Sequence, residues 1–284
     1  MGKFSDVLFT SDFDHTVTGP DNRVPRANLD AIGRFIAEGG RFCLNSGRSV
    51  PLLRRRAEEI PINAPCLCYN GAACYDYAAQ ELIYANTLPD FAENLLELIR
   101  ASGRNVCIEL QTIDRHYELG TQFSSRLKFL AQEGFVPTFT EKLPEKPWMK
   151  LLVCGADGES VAEEIDTIEQ GKLRDFLDLQ RKIEAFCDGR CFVTRSMPRL
   201  IEISHPDCNK GRAARWLAER LGRKILVCAG DAPNDEEMLR QADFAFCPSD
   251  ADETILALPG IRRTRESALG CIADAIEQLE ALPG

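Results

Sequence analysis

Val7-Leu8-Phe9-Thr10-Ser11-Asp12-Phe13-Asp14-His15-Thr16 is an apolar run that leads straight into two carboxylates spaced i, i+2. In a strand those two positions point to the same face. A buried parallel strand ends in a loop at its carboxyl edge, where open α/β sheets gather their ligands. Two carboxylates held together there repel each other, and a cation between them removes that cost. Mg2+ takes such oxygen ligands. Taken alone, the string also reads as a turn in which an Asp caps a helix, the commoner fate of Asp-x-Asp.

Three further segments follow in order. Arg41-Phe42-Cys43-Leu44-Asn45-Ser46-Gly47-Arg48 is a second apolar strand, ending in a hydroxyl, a glycine and a cation. Asn209-Lys210-Gly211 opens a helix with a lysine in its first turn. Lys224-Ile225-Leu226-Val227-Cys228-Ala229-Gly230-Asp231-Ala232-Pro233-Asn234-Asp235 is a third apolar strand that ends in more acid. Together they supply carboxylates, a hydroxyl, a lysine and backbone amides. Phosphoryl transfer needs that equipment, because positioning and charge stabilisation dominate it.

Composition narrows the classes. The 284 residues suffice for one large domain or two modest ones, and 44% apolar content gives a real core. A net charge of −10 argues against a nucleic-acid surface. The 12 cysteines include no Cys-x-x-Cys pair, and the three histidines (His15, His116, His205) are scattered. Buried reduced thiols in a cytoplasm are therefore expected rather than a zinc site. Met1 to Asp6 is too short and polar for a secretory leader, and no apolar run reaches a membrane span.

Residues 7–70 read as β-α-β-α-β: strands near 7–13, 41–45 and 66–69, and helices near 25–38 and 50–59. Arg54, Arg55 and Arg56 on the second helix read as a solvated face. Such alternation indicates an α/β fold with a doubly wound, mostly parallel, Rossmann-like sheet. After about residue 75 strands cluster with helices, which suggests an inserted α+β module. The α/β pattern resumes at Asn209. The stretch Asp157 to Asp188, interrupted by Gly171, reads as two helices or one bent helix. Ile165, Ile168, Leu173, Phe176, Leu177, Leu179, Ile183 and Phe186 are its apolar positions.

Asp12-Phe13-Asp14-His15-Thr16 resembles Asp-x-Asp-x-Thr, the first motif of the haloacid dehalogenase-like (HAD) superfamily of phosphatases, in its Cof-type branch. Ser46 in Asn45-Ser46-Gly47-Arg48 resembles the second motif, Lys210 the third, and Gly230-Asp231-Ala232-Pro233-Asn234-Asp235 the fourth. His15 departs from the usual Gly and Val17 from the usual Leu. The inserted module is similar to a C2-type cap. The resemblance implies a HAD-like catalytic core at 1–77 plus 198–284 and a substrate-specificity cap at 78–197.

It also implies roles. Asp12 is the expected nucleophile and forms an aspartyl-phosphate. Asp14 is the expected acid and base. Asp12, the Asp14 main-chain carbonyl, Asp231 and Asp235 are the expected Mg2+ ligands. Ser46 and Lys210 bind phosphoryl oxygens. Arg48, Asn70, Gly71 and Asn234 are candidates to bind substrate, while Thr16 fixes the loop. In the cap, Lys150, Arg115 and His116 are candidates, with ordinary surface side chains as the plainer reading. Lys210 opposes the helix dipole, so its loss is expected to leave stability nearly unchanged.

The expectation is a Mg2+-dependent cytoplasmic phosphatase for a small phosphorylated metabolite, a sugar phosphate above all, working as a monomer or homodimer without nucleic acid or membrane. A phosphomutase of the same superfamily and a non-catalytic phosphate or metabolite sensor remain alternatives. Isomerisation without phosphate release would mark the mutase. A sensor could lose Asp14 freely.

Overall fold

A computed structural model of the chain describes residues 2–104, 106–120, 125–155, 170–197 and 200–282. The chain begins with β1 (Val7–Ser11), α1 (Arg26–Ala37), β2 (Arg41–Leu44), α2 (Val50–Ala57), β3 (Cys66–Cys68), β4 (Ala73–Asp76) and β5 (Glu81–Ala85). Its middle supplies α3 (Ala92–Ala101), β6 (Val106–Gln111), β7 (His116–Leu119), α4 (Ser125–Gln132), β8 (Thr138–Thr140), β9 (Lys150–Gly155), α5 (Gln170–Cys187), β10 (Phe192–Met197) and β11 (Leu200–Ser204). It continues through α6 (Lys210–Arg220), β12 (Ile225–Ala229), α7 (Glu236–Gln241), β13 (Phe244–Pro248), α8 (Glu253–Leu256), β14 (Arg262–Thr264) and α9 (Cys271–Glu280). Two units emerge, 1–84 with 209–284, and 85–208.

The first unit is built on a parallel sheet of order β14-β13-β12-β1-β2. Its central strands β1, β2 and β12 are short and almost wholly buried, as strands covered on both faces must be, while the edge strand β14 exposes Arg263. Leu8, Phe9, Phe42, Leu44, Leu226, Val227 and Phe246 are all fully buried. Phe9 lies at the centre and meets Phe35 of α1 edge-on at 6.0 Å and Phe42 at 5.5 Å. Helix α1 buries Asn28, Ala31, Ile32 and Phe35, a stripe at i, i+3, i+4, i+7. Asn28 is a deliberate polar exception. Its amide donates to Val17 O at 3.0 Å and accepts from Ala273 N–H at 3.0 Å, so it ties the loop after β1 to α9.

Strand β3 runs parallel beside β2, as expected, at the bridge Asn45–Leu67, where Ser46 N–H donates to Leu67 O at 2.9 Å, but its ladder is the antiparallel one with β4 in a separate sheet, β3-β4-β5. The turn Tyr69-Asn70-Gly71 reverses the chain, with φ of 53° and 56° at Tyr69 and Asn70 and +87° at Gly71. A turn that tight favours an antiparallel return over a crossover helix. The solvated face expected for α2 holds for Arg55 alone. Arg54 lies over Tyr75, 5.4 Å from the ring centroid, and Arg56 lies over Phe13 at 5.3 Å.

The second unit carries a sheet of order β10-β11-β9-β6-β7-β8. One face buries Ile108, Leu110, Leu151, Val153, Ile201 and Ile203 in a core with Leu95 and Ile99 of α3 and Leu179 and Ile183 of α5. From residue 170 on, α5 runs unbroken through Gly171, and Phe176 joins the same core. The earlier part of the expected helical stretch, with Ile165 and Ile168, lies outside the described residues, as does the Leu173 side chain.

The surface reading of the two candidates Lys150 and His116 is corrected. Both are buried. Register sets Gln111 opposite both of them, so alternation gathers Glu109, Gln111, Lys150 and Glu202 on one face. Lys150 pairs with Glu202, and His116 Nδ1 lies 3.0 Å from Glu109. Burial works against Glu109, yet Arg126 and His116 hold it well below the usual carboxylate range. Arg115 is exposed.

Gly71 is the position where backbone freedom matters most. A Cβ there would lie 2.6 Å from Asn209 O and 2.8 Å from Ala213 Cβ. Gly71→Ala should therefore destabilise the protein by about 2–4 kcal/mol, through the left-handed backbone and overpacking against α6. Denaturant unfolding measures it, and an unchanged midpoint would contradict the packing described.

Candidate active site

Sheet order reverses between β1 and β12, because the chain first grows from β1 to β2 and later from β12 outward on the other side. Open α/β sheets bind ligands at such a switch point, beyond the carboxyl ends of the strands. Asp12 follows β1 directly, and its N–H donates to Ala229 O at 2.9 Å. Across the same gap, β12 ends at Ala229 and delivers Gly230-Asp231. A Cβ on Gly230 would come within 2.5 Å of Asp235 Cβ, so only glycine lets Asp235 fold back over the strand end.

Asp12, Asp231 and Asp235 each offer a carboxylate oxygen, and the three oxygens lie within 4.8 Å of one another. Each acid is held. Asp235 accepts from the Asp231 and Ala232 amides, both at 3.1 Å. Thr16 donates its hydroxyl proton to Asp231 Oδ1 at 2.6 Å. Lys210 Nζ donates to Asp12 Oδ1 at 2.6 Å and to Asp235 Oδ1 at 2.7 Å. Its helix is capped by Asn209, which accepts from Arg212 N–H at 2.8 Å. Asn45 donates to Lys210 O at 2.9 Å and fixes that first turn.

One lysine does not balance three carboxylates. Burial pushes the Asp12 carboxyl well up, and Asp235, Asp231 and Asp14 add to the rise against the pull of Lys210. Burial also pushes Asp231 up to about 6, with the Thr16 hydrogen bond opposing and Asp235 adding. Burial alone would lower Lys210, but Asp12 and Asp235 reverse it and raise the ammonium above its ordinary value. An excess of buried carboxylate oxygens with hard-ligand chemistry fits a divalent cation such as Mg2+.

The other expected residues are placed as follows. Asp14 stands apart from the triad: both its oxygens accept from the buried Arg48 guanidinium, at 2.9 Å from Nε and 2.7 Å from Nη2. That is a bidentate fork. Arg48 in turn lies 4.9 Å from the Phe13 ring centroid. Ser46 is buried, and its hydroxyl accepts from the Arg48 amide at 3.1 Å. The Asn70 amide N–H donates to Ser46 O at 3.0 Å, and its side chain lies over Gly47. Gly71 packs on α6, and Asn234 is exposed on the turn before α7. His15 is exposed, with φ of 57°. Glycine takes that left-handed conformation freely, and histidine tolerates it better than most side chains. Asn45 is the positioning residue that sequence reasoning missed. It was visible only as a polar residue beside Ser46, and its partner lies far along the chain.

The family model for haloacid dehalogenase-like hydrolases matches residues 9–259. The chain belongs to that family. It is 25% identical over 252 residues to HMP-PP phosphatase of Klebsiella pneumoniae, covering 86% of this chain and 84% of that protein. Among solved structures it resembles a haloacid dehalogenase-like hydrolase from Bacteroides thetaiotaomicron, with a TM-score of 0.83 and 21% identity over 98% of this chain and all of that one. It also resembles a HAD subclass IIB sugar phosphatase, BT4131, with a TM-score of 0.76 and 17% identity over 98% of this chain and 100% of that one. These relatives agree with the expected enzyme class and with an α/β core carrying further sheets. No helix among the described residues is long and apolar enough to cross a membrane.

The burial of Lys210 overturns one expectation. Helix-dipole strain is small beside the loss of two buried ion pairs. Lys210→Met should lower the stability of the metal-free protein by about 3 kcal/mol, since two buried carboxylates lose their partner. It should also lower kcat/KM at least about a hundredfold, or about 2.7 kcal/mol of transition-state stabilisation. Chemical denaturation and steady-state kinetics of the variant check both, and unchanged stability would contradict the buried bridge.

Proposed function

We propose that this enzyme is a Mg2+-dependent phosphatase that hydrolyses a small phosphorylated metabolite, a sugar phosphate being the favoured class. The supporting observation is the buried Asp12–Lys210–Asp235 bridge beside Asp231 at the switch point. Lys210 engages Asp12 Oδ1 and leaves the second oxygen for attack on phosphorus. The new bond is Asp12 Oδ2 to phosphorus, and the ester P–O bond breaks. Asp14 gives the departing alcohol its proton and then takes one from the water that cleaves the aspartyl-phosphate. Lys210 and Ser46 hold phosphoryl oxygens as charge develops.

Both oxygens of Asp14 accept from Arg48 in the resting enzyme, so neither is directed at a leaving group. Asp14 must turn away from that fork to act. The released guanidinium is then a donor for the substrate, with Asn70 and Asn234 as further candidates. Asp12, Asp231, Asp235 and the Asp14 main-chain carbonyl would hold Mg2+. Bound there, the ion supplies charge to the phosphoryl oxygens and relieves the carboxylate excess. The second unit, 85–208, is assigned the choice of substrate, by its resemblance to a cap.

Phosphate release from a panel of phosphorylated sugars, nucleotides and cofactors tests the proposal. The wild type should turn over with Mg2+ and stop in chelator. Asp12→Asn should show no turnover on any substrate. Asp14→Asn should still form a slow aspartyl-phosphate from an activated aryl phosphate, whose leaving group needs no proton. Rapid multiple turnover by Asp12→Asn, or full activity in chelator, would refute it.

A further inference from the structure

Strand β7 keeps to β6 for only part of its length. The two pair from Gln111–His116 to Glu109–Glu118, and beyond Glu118 strand β7 follows β8 instead, with Leu119 opposite Thr140. The first residues of β6 pair with β9 on their other side. Where β6 and β7 part, a cavity of about 380 Å³ opens, bounded by the start of β6, by Glu118 and Leu119 of β7 and by Ile99, Arg100 and Arg104. That volume lies within the range of small-molecule sites.

The polar groups of this cavity are not spent on one another. Helix α3 ends at Ala101, and Gly103 (φ 64°) turns the chain so that Arg104 stands just ahead of β6. Arg104 Nε is buried without a hydrogen-bond partner. Such a donor is costly, and native structures satisfy it with a water, an ion or a ligand. Arg100 is exposed on the last turn of α3. Neither guanidinium has an acidic partner among the described residues. In a chain of net charge −10, two unpaired cations at one cavity favour an anion. Glu118 is buried, and its Oε1 also lacks a hydrogen bond. Burial and the nearby Glu109 charge push its carboxyl up to about 8, against the pull of Arg126. At neutral pH it is mostly protonated, so it offers a hydrogen bond instead of repelling an anion.

We infer that this cavity binds a small organic anion, whose carboxylate or phosphate is held by Arg104 and Arg100 and whose short apolar body lies against Ile99, Val106 and Ile108. Arginine presents a planar fork that suits either headgroup. The apolar wall gives the body of the ligand a surface to cover, and a cation is repelled by the same two guanidinium groups. The site lies wholly within the second unit and uses none of the residues assigned to phosphoryl transfer. It is therefore independent of the phosphatase reading.

Titration calorimetry on the full-length protein tests it, with benzoate and phenylphosphonate as the two anions and benzamide as their neutral counterpart. A chelator is present throughout, so that the carboxylates of Asp12, Asp231 and Asp235 repel anions from their own site. At least one anion should bind one to one with a Kd of about 1 mM or below, and benzamide at least about tenfold more weakly. Which anion binds identifies the headgroup. Arg104→Gln keeps a polar side chain and removes the charge, so the affinity should fall at least about tenfold, with a thermal melt to show that the variant folds. Arg100→Gln changes an exposed residue, leaves folding intact and should cost about two- to fivefold in affinity. Failure of both anions to saturate the protein below about 10 mM would overturn the inference. So would benzamide binding as tightly as the anions, or an affinity unchanged in both arginine variants.

Discussion

Everything at this site depends on carboxylates that repel each other and are held together nonetheless. Asp12, Asp231 and Asp235 come within 4.8 Å, in a place where burial penalises their charges. Lys210 offsets part of that repulsion by bridging two of them. A buried ammonium between two buried carboxylates is stable only while all three are present, so removing one partner is far more damaging than the pair is stabilising. The remaining excess of negative charge is what suits the site to a divalent cation and, with it, to an anionic phosphoryl group.

The fold exists in a form that can hold this arrangement. Parallel pairing of β1 with β12 ends in register, Ser11 opposite Ala229, so both acidic loops start at the same level. Gly230 leaves room for Asp235 to return over the strand end, and Gly71 leaves room for the first turn of α6. Asn45 and Asn209 fix that turn from either side of Lys210. None of these residues reacts. Each removes a freedom that the carboxylates would otherwise use to move apart, which is how a scaffold turns binding into preorganised electrostatics.

The acids and the lysine were legible in the sequence because their elements are: buried apolar strands that end in Asp-x-Asp and Gly-Asp, and a capped helix with lysine in its first turn. Period and turn chemistry carry that information locally. Strand β3 runs parallel to β2 as its apolar run suggests, but the antiparallel partner β4 was not legible, because the left-handed turn at Tyr69 to Gly71 that sends β4 back along it carries no hydrophobic period. The fork of Arg48 on Asp14, the Thr16 bond to Asp231 and the burial of Lys150 and His116 were illegible for another reason. They depend on pairing between residues distant in sequence, which register creates and composition does not announce.

The central claim is that the triad is a cation site limited by its own protons. Thermal stability with and without Mg2+, followed from pH 5 to pH 8, tests it most directly. Asp231 is raised to about 6, so the stability its protonated form contributes to the metal-free protein is present below about 4 and is lost as pH rises through about 6. Mg2+ needs the ionised form. It should raise the melting temperature at pH 7.5, and the gain should fade as pH drops through about 6. In Asp231→Asn the gain should shrink at every pH. A Mg2+ effect as large at pH 5 as at pH 7.5, or none at pH 7.5, would contradict the claim.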